Sequence, residues 1–384
     1  MARLKPEELH SQRGMDFLAQ MSPTSICALE IVPLNIPLLE PFGISGGSQV
    51  VASNVLLRIQ LKAGAVGLGE AAPLPPYNGE TQADAIHALQ SARDWLLGRD
   101  ASDWKQLGAE FRQRAVPGSG SAQCALETAL LDAWQRHEGR PLVQFFGGAG
   151  TVLETDMTIT TGSPADAAAA AGKIQQRGIR VIKVKIGGAA GPDHDVARIA
   201  AIHEVAPNSP LILDGNAGVS RGEARALVAG LKQNGIMPEL LEQWLPKADL
   251  AGMKALHEES GWTVAADEAV STRVDAERVV ASGAAQVINI KLMKAGIAAA
   301  LEIVDVARAA GLGLMIGGNV ESILAMSTSA AFAAGTGGFR YADLDTPWFL
   351  AENPFLGGFR TTGGLISLGH INAGHGVSLV PPAT

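Results

Sequence analysis

An α/β barrel preceded by a separate α+β unit is the fold this sequence predicts, on three observations. Eight apolar strand candidates recur between about residues 155 and 342, separated by stretches of helical periodicity. Residues 26–150 lack that rhythm and carry short β-type runs followed by helices. Nearly every strand candidate of the repeating part ends on an ionisable group, as the C-terminal ends of barrel strands do where they build a site.

The elements follow in order. Residues 1–25 begin with a charged stretch and are expected to form an extension. The runs ICALEIVPLNIPL, VASNVLLRIQLKAG and VGLGEAAPLPPYNGET predict an antiparallel meander whose loops are marked by Gly, Pro and Asn. Helices are predicted at Thr81–Leu97, from Ser102 and at Ser121–Glu138, closing an α+β unit over 26–150. Strands then begin near Thr155, Val181, Leu211, Pro238, Thr263, Ala285, Leu312 and Phe339, with helices such as Pro164–Arg177 and Arg221–Asn234 between them. Residues 151–346 are therefore assigned to the barrel, and 347–384, where the rhythm stops, to a segment returning to the first unit.

Composition narrows the functions. Hydrophobic residues make up 47% of the 384-residue chain and charged ones 18%, which supports a sizeable core. A net charge of −8 without a basic run argues against nucleic acid and towards small molecules. Two cysteines are too few for a disulfide framework or a zinc cluster. No stretch of about 18 unbroken apolar residues offers a membrane span, and the start has no apolar signal region, so a cytoplasmic protein is expected. The glycines of Gly187–Gly191 lack a phosphate-loop lysine, and no His-Glu-x-x-His or Gly-x-Ser-x-Gly motif occurs.

The strand ends read Thr158, Lys183 and Lys185, Asp214, Glu242, Asp267, Lys291, then Asp343 and Asp345. Lys183 and Lys185 lie two apart on one strand, so their ammonium groups emerge on one face. Singly, each acid could cap the next helix and the lysines could guard an edge strand. Together, three acids on three successive strands converge on one barrel mouth, which a cation makes favourable. All-oxygen ligation selects a hard ion, Mg2+ or alternatively Mn2+. Lys185 and Lys291 flank that position and could take a proton from one face of a carbon and return it on the other; Lys183 would lower the pKa of Lys185.

The Lys-x-Lys strand, LILDGNAG, LLEQWLP, VAADEAV and VINIKLMKAG together resemble the enolase superfamily, muconate-lactonising enzyme subgroup. The resemblance runs from about residue 26 into the C-terminal region, and one departure is Trp244, where the family usually has Pro. It implies a modified TIM barrel, (β/α)7β, with the α+β unit as a capping domain. Asp214, Glu242 and Asp267 would then hold Mg2+, Lys185 and Lys291 would be the acid/base pair and Lys183 their assistant. A substrate carboxylate would bind the metal and lose its α-proton to give an enediolate. A homo-oligomer is implied as well.

The Asp-x-Asp-x-Pro ending of the last strand is similar to the dipeptide epimerases of this subgroup, in which the pair, here Asp343 and Asp345, binds the substrate's α-ammonium. Thr158 would contact the substrate beside the base. The alternative for the two aspartates is a polar turn before Pro347. In the capping loop EPFGISGGSQ, Phe42 and Ile44 are apolar and no Arg or Lys occurs between Leu38 and Val50, which favours an uncharged second residue in the dipeptide; the alternative is that Phe42 and Ile44 only pack on the barrel. Asn319 of MIGGNVES is a further contact candidate. The competing readings are a muconate-type cycloisomerase or o-succinylbenzoate synthase on the same site, a Schiff-base aldolase, and a barrel without catalysis.

Overall fold

The N-terminal unit is built on a three-stranded antiparallel sheet of β1 (Ile26–Ile44), β2 (Gly47–Leu61) and β3 (Val66–Ala71), in that order. The structure, a computed structural model, describes residues 22–44, 47–75, 79–115 and 118–381. Helices α1 (Gln82–Leu96), α2 (Trp104–Arg114), α3 (Gly120–His137) and the short α4 (Leu142–Phe145) follow. Of the expected extension, residues 1–21 lie outside the described part, whereas Ser22 and Thr24 each donate to Asp100 at 2.7 Å.

The barrel strands are β5 (Met157–Ile159), β6 (Ile182–Lys185), β7 (Leu211–Asp214), β8 (Leu240–Glu242), β9 (Val264–Ala266), β10 (Val287–Lys291), β11 (Gly313–Gly317) and β12 (Phe339–Ala342), all parallel and paired in sequence order. Asp156 N donates to Ala342 O at 3.0 Å and Leu344 N to Thr155 Oγ1 at 2.9 Å, joining the last strand to the first. Between the strands run α5 (Pro164–Gln176), α6 (Pro192–Val205), α7 (Arg221–Gln233), α8 (Leu250–Ser260), α9 (Arg273–Ser282), α10 (Gly296–Ala309) and α11 (Ile323–Thr336), the (β/α)7β pattern. Ser163, Ser220 and Thr272 start α5, α7 and α9 with reciprocal capping boxes.

The first barrel strand departs from expectation. A separate strand, β4 (Val152–Glu154), precedes β5 and pairs antiparallel with the C-terminal β15 (Leu365–Ser367). Thr155 N still bonds Gly364 O while Asp156 N already bonds Ala342 O, so the chain changes sheets between these residues. The tail also forms β13 (Phe355–Gly357), β14 (Arg360–Thr362) and β16 (Val377–Leu379). It reaches the N-terminal unit through Leu142 N to Gly374 O at 2.8 Å and His375 against Asp132 at 3.1 Å.

Alternation along the strands sorts the barrel interior into layers. Ile212, Leu240, Ala265, Val287, Met315 and Tyr341 form an apolar floor. Two residues further along each strand stand Asp214, Glu242, Asp267, Asn289, Gly317 and Asp343. Gly317 makes room: a Cβ there would lie 2.9 Å from the amide of Asn289.

Buried acids of the N-terminal unit dock it to the barrel helices. Glu70 of β3 accepts from Asn54 Nδ2 at 2.7 Å, Ser322 N at 3.0 Å and Ala325 N at 3.3 Å at the start of α11, and Glu127 accepts from Ala298 N at 2.9 Å at the start of α10. Helix N-termini favour anions. Glu70→Ala orphans several buried donors, and we expect a loss of about 2–3 kcal/mol, read as a lower urea midpoint.

Candidate active site

Strand β6 lies between β5 and β7, so Lys183 and Lys185 do not guard an edge. The Lys183 side chain is 0% exposed and its ammonium lies 2.6 Å from Asp343, 2.8 Å from Glu242 and 2.9 Å from Asp214. Lys185, one step nearer the mouth, donates to Asp214 Oδ2 at 2.6 Å. Burial lowers the Lys183 ammonium, but Asp214, Asp343 and Glu242 outweigh it and hold it well above its usual range.

The three acids do not cap helices. Ser220, Asp249 and Thr272 perform that task for α7, α8 and α9. Instead Asp214 stands opposite Glu242 in the ladder, and both, like Asp267, are 0% exposed. Burial raises Asp214 and Asp267, yet the lysines beside them bring both well below the carboxylate range. Glu242, with burial and Asp214 against it, is pushed up to about 7 although Asn289 Nδ2 donates to it at 2.7 Å. Three buried carboxylates on adjacent strands offer an all-oxygen donor set, and the raised Glu242 shows that it still favours added positive charge, which a hard divalent cation would supply.

On the opposite wall, Asp343 meets Lys183, while Asp345 Oδ2 accepts from Thr158 N at 2.7 Å instead of capping the turn Thr346–Phe349. Asp156, Asp343 and Asp345 bring one oxygen each within 4.8 Å of one another, a closer acidic group than the three acids above. Burial and then Asp343 push Asp345 up to about 7 and Asp156 well above its usual range. A cavity lined by Thr158, Lys185, Lys291, Asn319, Asp343 and Asp345, with Leu74 from the N-terminal unit, unites most of the predicted substrate contacts. Asn319 spends its Nδ2 on Ala72 O at 2.9 Å, tying the seventh strand end to that unit. The side chains of Phe42 and Ile44 lie outside the described part; their backbones pair with Gln49 and Gly47.

The strand order sets the azimuths of these groups. Lys185 on β6 and Lys291 on β10 are four strands apart in an eight-stranded barrel and therefore face each other. Glu242 on β8, between Asp214 and Asp267, faces Asp343 after β12 at right angles to the lysine pair.

Sequence reasoning missed Gln243, Asn289 and Asp156. Gln243, at φ 36°, receives Asp267 N at 2.9 Å and Ala269 N at 3.1 Å, fixing the end of β9 from β8. Asn289 and Asp156 sit two residues before Lys291 and Thr158, the spacing that already paired Lys183 with Lys185. Trp244 donates its indole N–H to Leu213 O at 2.8 Å and packs so closely on Gly215 that a Cβ there would approach its Cα to 2.7 Å. The departure from Pro thus leaves Glu242 on its strand.

Two family descriptions match this chain: Mandelate racemase / muconate lactonizing enzyme, N-terminal domain, over residues 27–147, and Enolase C-terminal domain-like over residues 165–383. The chain belongs to the mandelate racemase/muconate lactonizing enzyme family of the enolase superfamily. Within it, the chain is 51% identical to an aromatic dipeptide epimerase of Herpetosiphon aurantiacus over 93% of this chain and 99% of that protein. It is 37% identical to a hydrophobic dipeptide epimerase of Citrifermentans bemidjiense, over 84% and 90% respectively. A crystal structure of a dipeptide epimerase from Enterococcus faecalis, complexed with Mg and L-Leu-L-Tyr, superposes with a TM-score of 0.87 at 30% identity, covering 92% of this chain and 99% of that one. Among the described residues no helix is long and apolar enough to cross a membrane.

Proposed function

We propose that this chain epimerises dipeptides, inverting the α-carbon of the C-terminal residue of an L,L-dipeptide whose second side chain is apolar or aromatic, and that it works as a homo-oligomer. The observation that carries the reading is the crossed arrangement of the barrel mouth: facing lysines on β6 and β10, and at right angles the acids of β7–β9 facing the Asp343/Asp345 pair. A muconate gives those aspartates no ammonium to bind, which sets the cycloisomerase reading aside. The aromatic and hydrophobic relatives support an uncharged second residue, in line with the capping loop.

In this reading Asp214, Glu242 and Asp267 would hold a magnesium ion, which when bound polarises the substrate carboxylate and acidifies the α-proton. Asp343 and Asp345 bind the α-ammonium, Thr158 fixes the Asp345 carboxylate through its N–H, and the α-carbon lies between the two lysines. Lys185 and Lys291 move the proton, one removing it from one face and the other delivering it to the opposite face. Lys183 counters Asp214, Glu242 and Asp343 and keeps the acids in register with the bases.

A dipeptide library in deuterated water, read by mass spectrometry, tests this. Deuterium is expected at the α-carbon of the C-terminal residue of apolar dipeptides; the activity is lost with EDTA and restored by Mg2+. Absence of metal-dependent uptake from every dipeptide overturns the proposal, and a borohydride-trapped covalent adduct would favour Schiff-base chemistry instead.

A further inference from the structure

The stretch VINIKLMK contains a second lysine, Lys294, that the chemistry above leaves unused. It closes the turn Leu292–Lys294 after β10, which folds its side chain back to 4% exposure. Its ammonium donates to the carbonyls of Asp267 at 2.6 Å, Val270 at 2.9 Å and Asn289 at 2.9 Å, and lies 2.7 Å from Asp267 Oδ1. An ammonium has three N–H groups, so these acceptors commit all of them. Lys294 does not line the cavity that holds Lys185 and Lys291.

Asp267 is consequently gripped on several sides. Its N–H goes to Gln243 Oε1 at 2.9 Å, its carbonyl and Oδ1 to Lys294, and its Oδ2 lies 2.7 Å from Lys291. One ammonium bound to both the main-chain and the side-chain oxygen of the same aspartate fixes that side chain's torsions.

We infer that Lys294 is a positioning residue that pre-sets Asp267 for a divalent cation and pins the Asp267–Val270 turn to β10, without exchanging protons with the substrate. This rests on Asp267 being a metal ligand, as proposed above. Two effects oppose each other. A cation beside a ligand repels the metal, so Coulomb's law alone predicts tighter binding once Lys294 is neutralised. Against this, removing it frees the Asp267 carboxylate and takes a donor from the carbonyls of Asp267, Val270 and Asn289. Groups that orient metal ligands typically govern affinity by about 10–100-fold, and here the grip on Asp267 dominates because that carboxylate already offsets the Lys294 charge at contact distance.

The test titrates MgCl2 by calorimetry into the full-length parent, Lys294→Met and Lys294→Arg without substrate, and follows rates against Mg2+ at saturating dipeptide. Lys294→Met is expected to weaken Mg2+ binding by about 10–100-fold and to raise the half-saturating Mg2+ in parallel, with kcat at saturating metal near the parent's. Lys294→Arg, which keeps the charge and several donors, is expected to retain more affinity; if Lys294→Met does not fold, Lys294→Gln carries the same comparison. Unchanged or tighter Mg2+ binding overturns the inference, as does a loss of kcat with metal affinity intact, which would mark Lys294 as a proton carrier. A parent that binds no Mg2+, or an Asp214→Asn variant that binds it as tightly, overturns the ligand set itself, a failure distinguishable from that of Lys294 alone.

Discussion

Lys291→Ala is expected to lower kcat for epimerisation by about 10²–10⁴-fold while leaving exchange of the α-proton of one substrate enantiomer. The argument is geometric. Lys291 on β10 and Lys185 on β6 face each other across the mouth, so each addresses one face of a carbon held between them. With Lys291 gone, Lys185 still removes a proton from its own face and returns solvent deuterium there, but nothing delivers one to the other face. Lys185→Ala should show the mirror pattern, exchanging the opposite enantiomer. Proton NMR in deuterated water on both enantiomers reads this directly, and full epimerisation by either variant would contradict the two-lysine arrangement. The electrostatics define the resting state: burial lowers Lys291, yet Asp267 at 2.7 Å outweighs burial and holds it above its usual range.

Most of the barrel was legible because strands buried on both faces read as short apolar runs, and most of them ended on a charge the core does not tolerate without a partner. Positions two apart were equally legible: Lys183 and Lys185 share a face because side chains alternate along β6, and Asp343 and Asp345, just past β12, line the same cavity. The boundary between β4 and β5 was not, since both are apolar-flanked runs and only the distant partners, Gly364 and Ala342, separate them. The same limit hid Glu70 and Lys294. Glu70 reads as a polar residue in a Gly-rich strand until Ser322 and Ala325 are seen 252 and 255 residues away. Lys294 reads as a surface lysine after a strand until its turn folds it onto Asp267. Local spacing names the groups that point into a site, whereas the groups that hold them arrive from elsewhere in the chain.

Lys183→Met is the change with the largest expected effect on stability. The substitution keeps a chain of similar length in a 0% exposed position, so packing changes little and the loss isolates the charge. What remains is Asp214, Glu242 and Asp343, each within 2.9 Å of the deleted ammonium, facing one another in a buried layer above the apolar floor. Removing one partner from a buried ionic cluster costs about 3–5 kcal/mol, because the partners keep their desolvation penalty and lose its compensation. Lys185 offsets this only in part, since it reaches Asp214 alone among the three. In the proposed site, Mg2+ binds two of the stranded carboxylates and should therefore return much of the lost stability, as any ligand of the folded state does in proportion to its saturation. Thermal unfolding of parent and Lys183→Met with EDTA and with saturating Mg2+ checks both halves. A variant as stable as the parent in EDTA would mean that the acids do not carry the charge assigned to them, and an equal deficit with and without Mg2+ would separate Lys183 from the metal ligands.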